Sequence, residues 1–276
     1  MNFKIVSDSS ANLFNHNGTE FESVPLHIIV ADKDFIDNEN LNLDEMQNSL
    51  SSYNGKSSTS CPSSHEWMEA FGNADVVFCV TITSNLSGAC SSAKIAASMY
   101  ESEHPGRKVF VIDSLSTGPE MVLIIDKLSE LINSNFDPDT IYKEICNYQI
   151  NTHLYFELSS LDNFAKNGRI NPILAKGIGI LGIKIVGKAS DEGTLQPMDK
   201  CRGDKKAFIC LISHMKKCGY AGGRVIISHT NNPSGANDMN ELIKTELGYN
   251  DATIMENHGL CSYYAEPGSV LIGFEA

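Results

Sequence analysis

Basic residues are scarce in this chain of 276 residues. It carries 21 Lys and Arg side chains against 34 Asp and Glu, which gives a formal net charge of −13. Nucleic acids and anionic membrane surfaces are bound through clusters of basic side chains. The charge balance therefore argues against both as partners. An anionic ligand would have to be held by local hydrogen bonds and helix dipoles.

Long hydrophobic runs are also missing. The longest candidate, residues 173–186, is short, rich in glycine and interrupted by two lysines. Because a bilayer-spanning helix needs about 20 apolar residues, we expect no membrane insertion. The first residues, MNFKIVSDSS, lead directly into a strand pattern and lack the charged-then-apolar layout of a signal peptide. These features predict a cytoplasmic protein.

Cysteine and histidine lack the spacings that metal and disulfide sites use. The eight cysteines form no C-x-x-C pair, and the eight histidines form no H-x-x-x-H pair. The pattern therefore predicts no structural metal and indicates no disulfide framework. Cys79 and Cys210 lie within apolar patterns, and we interpret both as small core residues.

The stretch from Val76 to Ala93 combines a buried strand with a helix start and reads VVFCVTITSNLSGACSSA. Its apolar, β-branched beginning is typical of a strand buried on both faces. Hydroxyl-bearing residues follow at Thr83 and Ser84, before a segment with helical potential from Ser87. Such a transition is typical of an anion-binding turn in α/β proteins. The alternative is that Ser84 or Asn85 only caps the helix.

The first half of the chain alternates strand and helix patterns, which predicts a mainly parallel sheet. The predicted strands are 3–7, 24–30, 76–82 and 108–112, and the predicted helices are 43–53, 65–71, 87–100, 118–134 and 137–148. Residues 56–64 are predicted to be a Ser-rich connector. Three strands end in polar residues, at 8–10, 83–84 and 113–114. Since ligands of open α/β sheets bind beyond the carboxyl ends of the strands, we expect a binding site at this edge.

The second half has a different pattern. A turn at 191–193 joins two predicted strands into a hairpin, and crossover connections follow, which predicts a mixed sheet covered by helices. The predicted strands are 153–158, 183–189, 195–201, 224–229, 252–256 and 269–274, and the predicted helices are 160–166, 172–181, 204–218 and 234–247. We place a domain boundary near residue 150.

Two enzyme-like motifs remain as hypotheses. Gly177, Gly179 and Gly182 spell G-x-G-x-x-G, but a strand rather than a helix follows the motif, which argues against dinucleotide binding. A serine hydrolase would use Ser87 or Ser84 as nucleophile, with His229 and an acid such as Asp113. No G-x-S-x-G elbow is present, although Ser87 lies near a helix start that could supply an oxyanion hole. The alternative for His229 is a satisfied, partly buried side chain.

Eight segments follow one another in the order of a known family. They are IVSDSS at 5–10, STSCPS at 58–63, TITSNLSGACSSA at 81–93, VFVIDSLSTG at 109–118, LDNFAKNGRI at 161–170, LGIKIVGK at 181–188, CRGDKKA at 201–207 and YAEPGSVLIGF at 264–274. Together they span essentially the whole chain, which resembles the DegV family of fatty-acid-binding proteins.

The resemblance implies an α/β fold with two domains. The N-terminal domain, residues 1–150, would be a three-layer α/β/α unit with a parallel sheet and would supply the head-group loops. The C-terminal domain, residues 151–276, would be a two-layer α/β unit with a mixed sheet and would form much of an apolar tunnel. The tunnel would enclose one long-chain fatty acid, such as palmitate, with the carboxylate near the domain interface.

The resemblance also implies a role in fatty acid metabolism. In family members that are kinase subunits, the protein presents the carboxylate to a separate ATP-using subunit, which makes acyl phosphate. The chain would then be a lipid carrier with no cofactor and no catalytic residue of its own. The alternatives are a serine esterase that uses Ser87, and a lipid sensor that regulates a partner.

The family's carboxylate ligands can be carried over to this sequence residue by residue. They fall on Thr59, Ser87 and Tyr264, with neighbours at Ser60, Ser84 and Gly88. Arg202 matches a family arginine near the head group or the partner face, and its alternative is a surface residue on a hairpin.

Three replacements distinguish this chain from the family pattern at the head group. Tyr264 stands where the family has a histidine, so it can donate a hydrogen bond but carries no positive charge at neutral pH. Glu266 replaces a glycine and is expected to add a negative charge close by. Cys61 replaces a glutamine.

Overall fold

The computed structural model describes residues 1–171, 173 and 182–276. The helix predicted at 172–181 and two of the three glycines of the G-x-G-x-x-G motif lie outside the described residues. The described strands are β1 (Phe3–Asp8), β2 (Glu20–Val24), β3 (His27–Val30), β4 (Lys33–Ile36), β5 (Ser58–Ser60), β6 (Val76–Thr81), β7 (Lys108–Asp113), β8 (Thr152–Leu158), β9 (Ile183–Ala189), β10 (Leu195–Arg202), β11 (Val225–His229), β12 (Thr253–Glu256) and β13 (Val270–Glu275).

The described helices follow the same order along the chain. They are α1 (Leu43–Ser52), α2 (Ser64–Phe71), α3 (Ala89–Glu103), α4 (Pro119–Asn133), α5 (Pro138–Gln149), α6 (Asp162–Lys166), α7 (Asp204–Cys218), α8 (Pro233–Leu247) and α9 (Gly259–Ala265). Within the described residues, no helix combines the length and apolarity that crossing a bilayer requires.

A parallel sheet forms the centre of the first half, as predicted. Its strand order is β2-β1-β6-β7, and all six residues of β6 are buried. Helices α2 and α3 pack together on the sheet, and α4 packs against β1, β6 and α5. Because β6 is central and covered on both faces, its sequence is a continuous apolar run without alternation.

A mixed sheet forms the centre of the second half, which confirms the other part of the predicted fold class. Its order is β10-β9-β8-β13-β11-β12, with β9 and β10 paired as the antiparallel hairpin that the turn at 191–193 predicts. Helices α7 and α8 pack on this sheet. Each strand of the mixed sheet lies after residue 150 and each strand of the parallel sheet before it. The division into two domains at that residue stays a prediction.

Helix α4 lies between the two sheets. Met121, Ile124 and Ile125 are buried in the core of the first half, whereas Leu123 packs with Ile226 of β11. The helix also packs against β13. The carboxyl edge of the parallel sheet is thereby held against the face of the mixed sheet.

Several local predictions are wrong. The predicted strand 24–30 is two strands, since Val24 ends β2 and His27 starts β3 in a different sheet. Pro25 separates them, because it has no N–H for a ladder hydrogen bond. The predicted Ser-rich connector contains β5, which pairs with β3 in a small sheet of order β4-β3-β5. The prediction also omits α9, a seven-residue helix near the C-terminus.

Candidate functional site

A cavity of about 290 Å³ lies where the carboxyl edge of the parallel sheet meets the mixed sheet. Part of its apolar wall comes from alternate residues of β8, namely Leu154, Phe156 and Leu158. Successive side chains of a strand point to opposite faces, so the intervening Tyr155 packs in the core under α7 instead. Further apolar lining comes from Leu26, Ile82, Leu195, Leu260, Ala265 and Leu271.

A glycine makes room for the largest of these side chains. A Cβ atom at Gly187 of β9 would lie 2.4 Å from the ring of Phe156 and 2.7 Å from the carbonyl oxygen of Gln196. The absence of a side chain at this position therefore leaves room for the Phe156 ring against β9.

Hydroxyl groups from two distant segments meet at the cavity. The Oγ1 atom of Thr59 and the hydroxyl oxygen of Tyr264 are 2.9 Å apart and form a hydrogen bond. Strand β5 positions Thr59 through its pairing with Ile28 of β3, and α9 positions Tyr264. Burial raises the pKa of Tyr264, against the opposing effects of the Thr59 hydrogen bond and the Arg169 charge. The side chain therefore remains a neutral hydroxyl.

The start of α3 forms another part of the cavity wall, where Ser87 and Gly88 lie. The helix begins at Ala89, and the Ser87 Oγ accepts a hydrogen bond of 3.2 Å from the Ala89 N–H. Neither Ser84 nor Asn85 caps the helix, so that alternative is wrong. A Cβ at Gly88 would lie only 3.2 Å from the Cys61 sulfur, so glycine lets the loop after β5 lie against the helix start.

Arg169 also lines the cavity, and sequence reasoning missed it. Its Nε donates a hydrogen bond of 3.1 Å to the Leu86 carbonyl, and Nη1 donates one of 2.6 Å to the Asn167 carbonyl. Among the described residues that line the cavity, it is the one with a charged side chain. It lies in the segment LDNFAKNGRI, but nothing in the local pattern distinguishes it from a surface arginine after a helix end.

The structure brings five of the predicted site residues to the cavity, namely Thr59, Ser60, Ser87, Gly88 and Tyr264. The other two lie elsewhere. Ser84 is exposed, and its N–H donates to Asp113 at 3.1 Å. Arg202 is exposed at the end of β10 and is not among the lining residues.

Glu266 does not place its charge in the cavity lining. Its carboxylate Oε1 accepts hydrogen bonds from the Ser160 hydroxyl at 2.9 Å and from the Asn163 N–H at 3.1 Å. The side chain is thus directed at the first turn of α6, where an acceptor compensates unpaired N–H groups. Its backbone is left-handed, with φ +60°, which favours glycine at this position. The expectation of an added negative charge close to the head group stays a prediction.

The acidic residues at the strand ends accept hydrogen bonds from backbone N–H groups at the same edge of the sheet. Asp8 accepts a hydrogen bond of 2.7 Å from the Ile82 N–H, and burial raises the pKa of Asp8 to about 6. Asp113 accepts from Ser84 and from the Leu115 N–H at 3.1 Å. These contacts hold the loops after β6 and β7 in place at the carboxyl edge of the parallel sheet, where the sequence predicts a binding site.

The groups required for a serine hydrolase are not assembled. No histidine is among the described residues that line the cavity, and neither His229 nor Asp113 reaches Ser87 by a hydrogen bond in the described part of the chain. His229 is buried, and its Nδ1 accepts from the Asn232 N–H at 3.4 Å. It is therefore the satisfied core histidine of the alternative interpretation.

Comparison with known proteins identifies the class to which this fold and cavity belong. A family model described as an uncharacterised protein of the DegV family matches residues 2–276. The chain belongs to the DegV family, which confirms the resemblance of its eight segments. A DegV domain-containing protein of Streptococcus gordonii is 41% identical over 279 residues, which cover 100% of this chain and 99% of that protein.

Two solved structures are particularly similar. A DegV family protein from Eubacterium eligens, loaded with heptadecanoic acid, has a TM-score of 0.97 and 39% identity over 99% of both chains. The Fatty Acid Kinase (Fak) B3 protein of Streptococcus pneumoniae, loaded with linoleic acid, has a TM-score of 0.96 and 39% identity over 100% of this chain and 99% of that one.

Proposed function

We propose that this protein binds one long-chain fatty acid, with the acyl tail in the apolar cavity and the carboxylate at the hydroxyls of Thr59, Ser87 and Tyr264. The observation that carries the proposal is an apolar cavity with a hydroxyl pair and the guanidinium of Arg169 at its wall. At about 0.8 kcal/mol per buried methylene, a tail of about 16 carbons contributes on the order of 10 kcal/mol. The contacts to the carboxylate then serve more to orient the fatty acid than to supply its binding energy.

The hydroxyl pair supports this proposal because it can exchange its internal hydrogen bond for bonds to an anion. Thr59 and Tyr264 each carry one O–H, and while they bond to each other one of them must act as acceptor. A carboxylate accepts from both. Arg169 supplies the positive charge that a tyrosine cannot carry, and hydrogen bonds with an ionised partner are about twice as strong as neutral ones.

The same two structural relatives support the choice of ligand, since both are loaded with long-chain fatty acids. The relative from Streptococcus pneumoniae is named as a fatty acid kinase protein. We therefore extend the proposal to a carrier that presents the acyl carboxylate to an ATP-using kinase subunit and has no catalytic residue of its own. Arg202, exposed at the end of β10, fits the partner face of such a carrier better than the head group.

A comparison of ligands with the same tail tests the head-group part of the proposal. Palmitate and hexadecanol bury the same alkyl chain, but only palmitate carries a charge. We therefore expect the affinity of delipidated protein for palmitate to exceed that for hexadecanol by roughly 10-fold or more. Arg169→Gln should remove most of that preference, whereas Arg202→Gln should retain it. Equal affinity of the unmodified protein for the acid and the alcohol would contradict carboxylate recognition.

A reconstituted assay separates the carrier from the lipid-sensor alternative, which uses the same cavity. The carrier, loaded with fatty acid, should support ATP-dependent formation of acyl phosphate by its kinase partner. A partner that binds the loaded protein without consuming ATP would favour the sensor instead.

A further inference from the structure

Three side chains that can bind a metal converge on the opposite side of the mixed sheet from the cavity wall. Asp199 lies on β10, and Cys210 and His214 lie one turn apart on α7. The Asp199 Oδ2 is 2.6 Å from the His214 Nε2 and 3.4 Å from the Cys210 sulfur. All three donor atoms lie within 4.8 Å of one another.

The distances agree with the edges of a small coordination tetrahedron. With the usual zinc–ligand bond lengths, oxygen and sulfur ligands of one Zn²⁺ are about 3.5 Å apart, and oxygen and nitrogen ligands about 3.3 Å apart. The observed oxygen–sulfur separation of 3.4 Å already matches. The oxygen–nitrogen pair, now joined by a hydrogen bond, would have to separate by less than one ångström.

The register of β10 points to Cys201 as a fourth ligand. Cys201 is two residues after Asp199 on β10, so both side chains point to the same face of the strand. Cys201 and Cys210 both pack against the same hydrophobic core cluster, on the side of the sheet that α7 covers. The set then contains two sulfurs, one imidazole and one carboxylate, and zinc accepts all three ligand types.

Burial and access also suit a metal. The side chain of Asp199 is 47% exposed and that of His214 is 21% exposed, so the donors form the floor of a shallow surface site with Cys210 half-buried below them. The chain's net charge of −13 further attracts a cation.

We propose that Asp199, Cys210 and His214, with Cys201 as the fourth ligand, bind one Zn²⁺ between strand β10 and helix α7. The ion would join the edge strand of the mixed sheet to the helix that covers it. Strand β10 begins at Leu195, which lines the cavity, so the metal would also stabilise that wall.

This proposal departs from the prediction of no structural metal, which rested on the spacing of cysteines and histidines along the sequence. The helical pair is Cys-x-x-x-His, and residues four apart lie on the same face of a helix just as two histidines would. The strand pair Asp-x-Cys can add ligands only because the fold places β10 beside α7. The local sequence does not show that these two elements are in contact.

Zinc and cobalt titrations test the proposed site. Protein freed of metal by dialysis against a chelator should bind one Zn²⁺ per chain at near-equimolar zinc, measured by elemental analysis after desalting. With Co²⁺, the same protein should show a thiolate-to-cobalt charge-transfer band and the visible bands of a tetrahedral site. Zinc should also raise the Tm, because an ion that binds only the folded state stabilises it.

Matched variants locate the metal and distinguish a ligand from a merely structural cysteine. Cys210→Ser and His214→Gln should lose stoichiometric zinc, and Cys210→Ser should lose most of the cobalt–thiolate band. Cys218→Ser, in the same helix two turns further on, should bind one zinc with the full band. Circular dichroism of each variant monitors folding.

Three results would overturn the proposal. They are substoichiometric zinc in the unmodified protein, one zinc that persists in Cys210→Ser, and a cobalt complex without a thiolate band. An unchanged band in Cys201→Ser would remove that residue from the ligand set.

Discussion

At the scale of single residues, we propose that Tyr264 and Arg169 divide a role that one histidine could perform alone. A protonated histidine donates a hydrogen bond and carries positive charge, whereas the tyrosine hydroxyl only donates. In this chain the hydroxyl bonds to Thr59, and the guanidinium of Arg169 lies near enough to act on the pKa of Tyr264. We infer that the head group meets hydrogen bonding and charge from two separate side chains.

Tyr264→Phe should weaken palmitate binding roughly 10-fold, because it removes one hydrogen bond to a charged group, worth about 1.5 kcal/mol. Displacement of a fluorescent fatty acid from delipidated protein measures this. The neighbouring Tyr263 provides a control, since its hydroxyl bonds to Ser57 and Asn167 at 2.8 Å and does not line the cavity. Tyr263→Phe should lower stability but leave the affinity unchanged. Equal losses of affinity in both variants would argue against a ligand role for Tyr264.

Glu120 should make stability depend on pH. Burial raises its pKa to about 7 from the ordinary 4.5, despite the hydrogen bond of 2.8 Å from the Thr152 hydroxyl. The folded state therefore holds a proton that the unfolded state releases between about pH 4.5 and 7. The protonated carboxyl contributes about 3 kcal/mol to the free energy of unfolding below that pH range. This contribution is lost as the pH rises through the range.

Glu120→Gln, which mimics the protonated acid, should therefore match the unmodified protein near pH 4.5 and exceed its stability near pH 8. Urea unfolding at a series of pH values measures the difference. Glu144→Gln alters an exposed carboxyl on α5 and should preserve the slope of the unmodified protein. An unchanged slope in Glu120→Gln would show that this carboxyl is already ionised in the folded state.

At the scale of elements, the sequence predicts those whose pattern is long and uniform. The apolar run of β6, the amphipathic α4 and α5, and the β9–β10 hairpin are all present in the structure. Strand β5 has only three residues, all in a Ser-rich segment, so its sequence shows no alternation of apolar and polar residues. It is a strand because it pairs with β3. Arg169 was missed for a related reason, because its place at the cavity follows from tertiary packing and not from a local sequence pattern.

The close contact between helix α4 and strand β13 depends on Gly273 of β13. A Cβ there would lie 2.6 Å from the Glu120 nitrogen and 2.7 Å from the Pro119 carbonyl oxygen, which are backbone atoms that cannot rotate away. Gly273→Ala should therefore separate α4 from the mixed sheet and cost about 1–3 kcal/mol in free energy of unfolding. Urea denaturation checks this.

Gly88→Ala is the matched control, since its new methyl group meets only the Cys61 sulfur at 3.2 Å. It should cost less than Gly273→Ala, because the Cys61 side chain can move by a few tenths of an ångström whereas the backbone of α4 cannot. Equal destabilisation by the two substitutions would contradict a tight contact between α4 and β13.

At the scale of the whole molecule, the cavity exists because two sheets of different kinds meet across α4. The parallel sheet supplies loops with hydroxyls and helix starts, and the mixed sheet supplies an alternating apolar face. The sequence predicts each sheet from its own pattern and the polar strand ends from their residues. It does not predict how closely the two sheets approach, because cavity depth depends on side-chain packing between segments more than 100 residues apart.

Native mass spectrometry of protein purified without added lipid tests the central claim most directly. We predict a complex heavier than the bare chain by the mass of one long-chain fatty acid, which denaturation should release. Delipidated protein should regain the same mass and a higher Tm when palmitate is added. A bare chain whose mass and Tm do not respond to palmitate would contradict the proposal that this protein is a fatty-acid carrier.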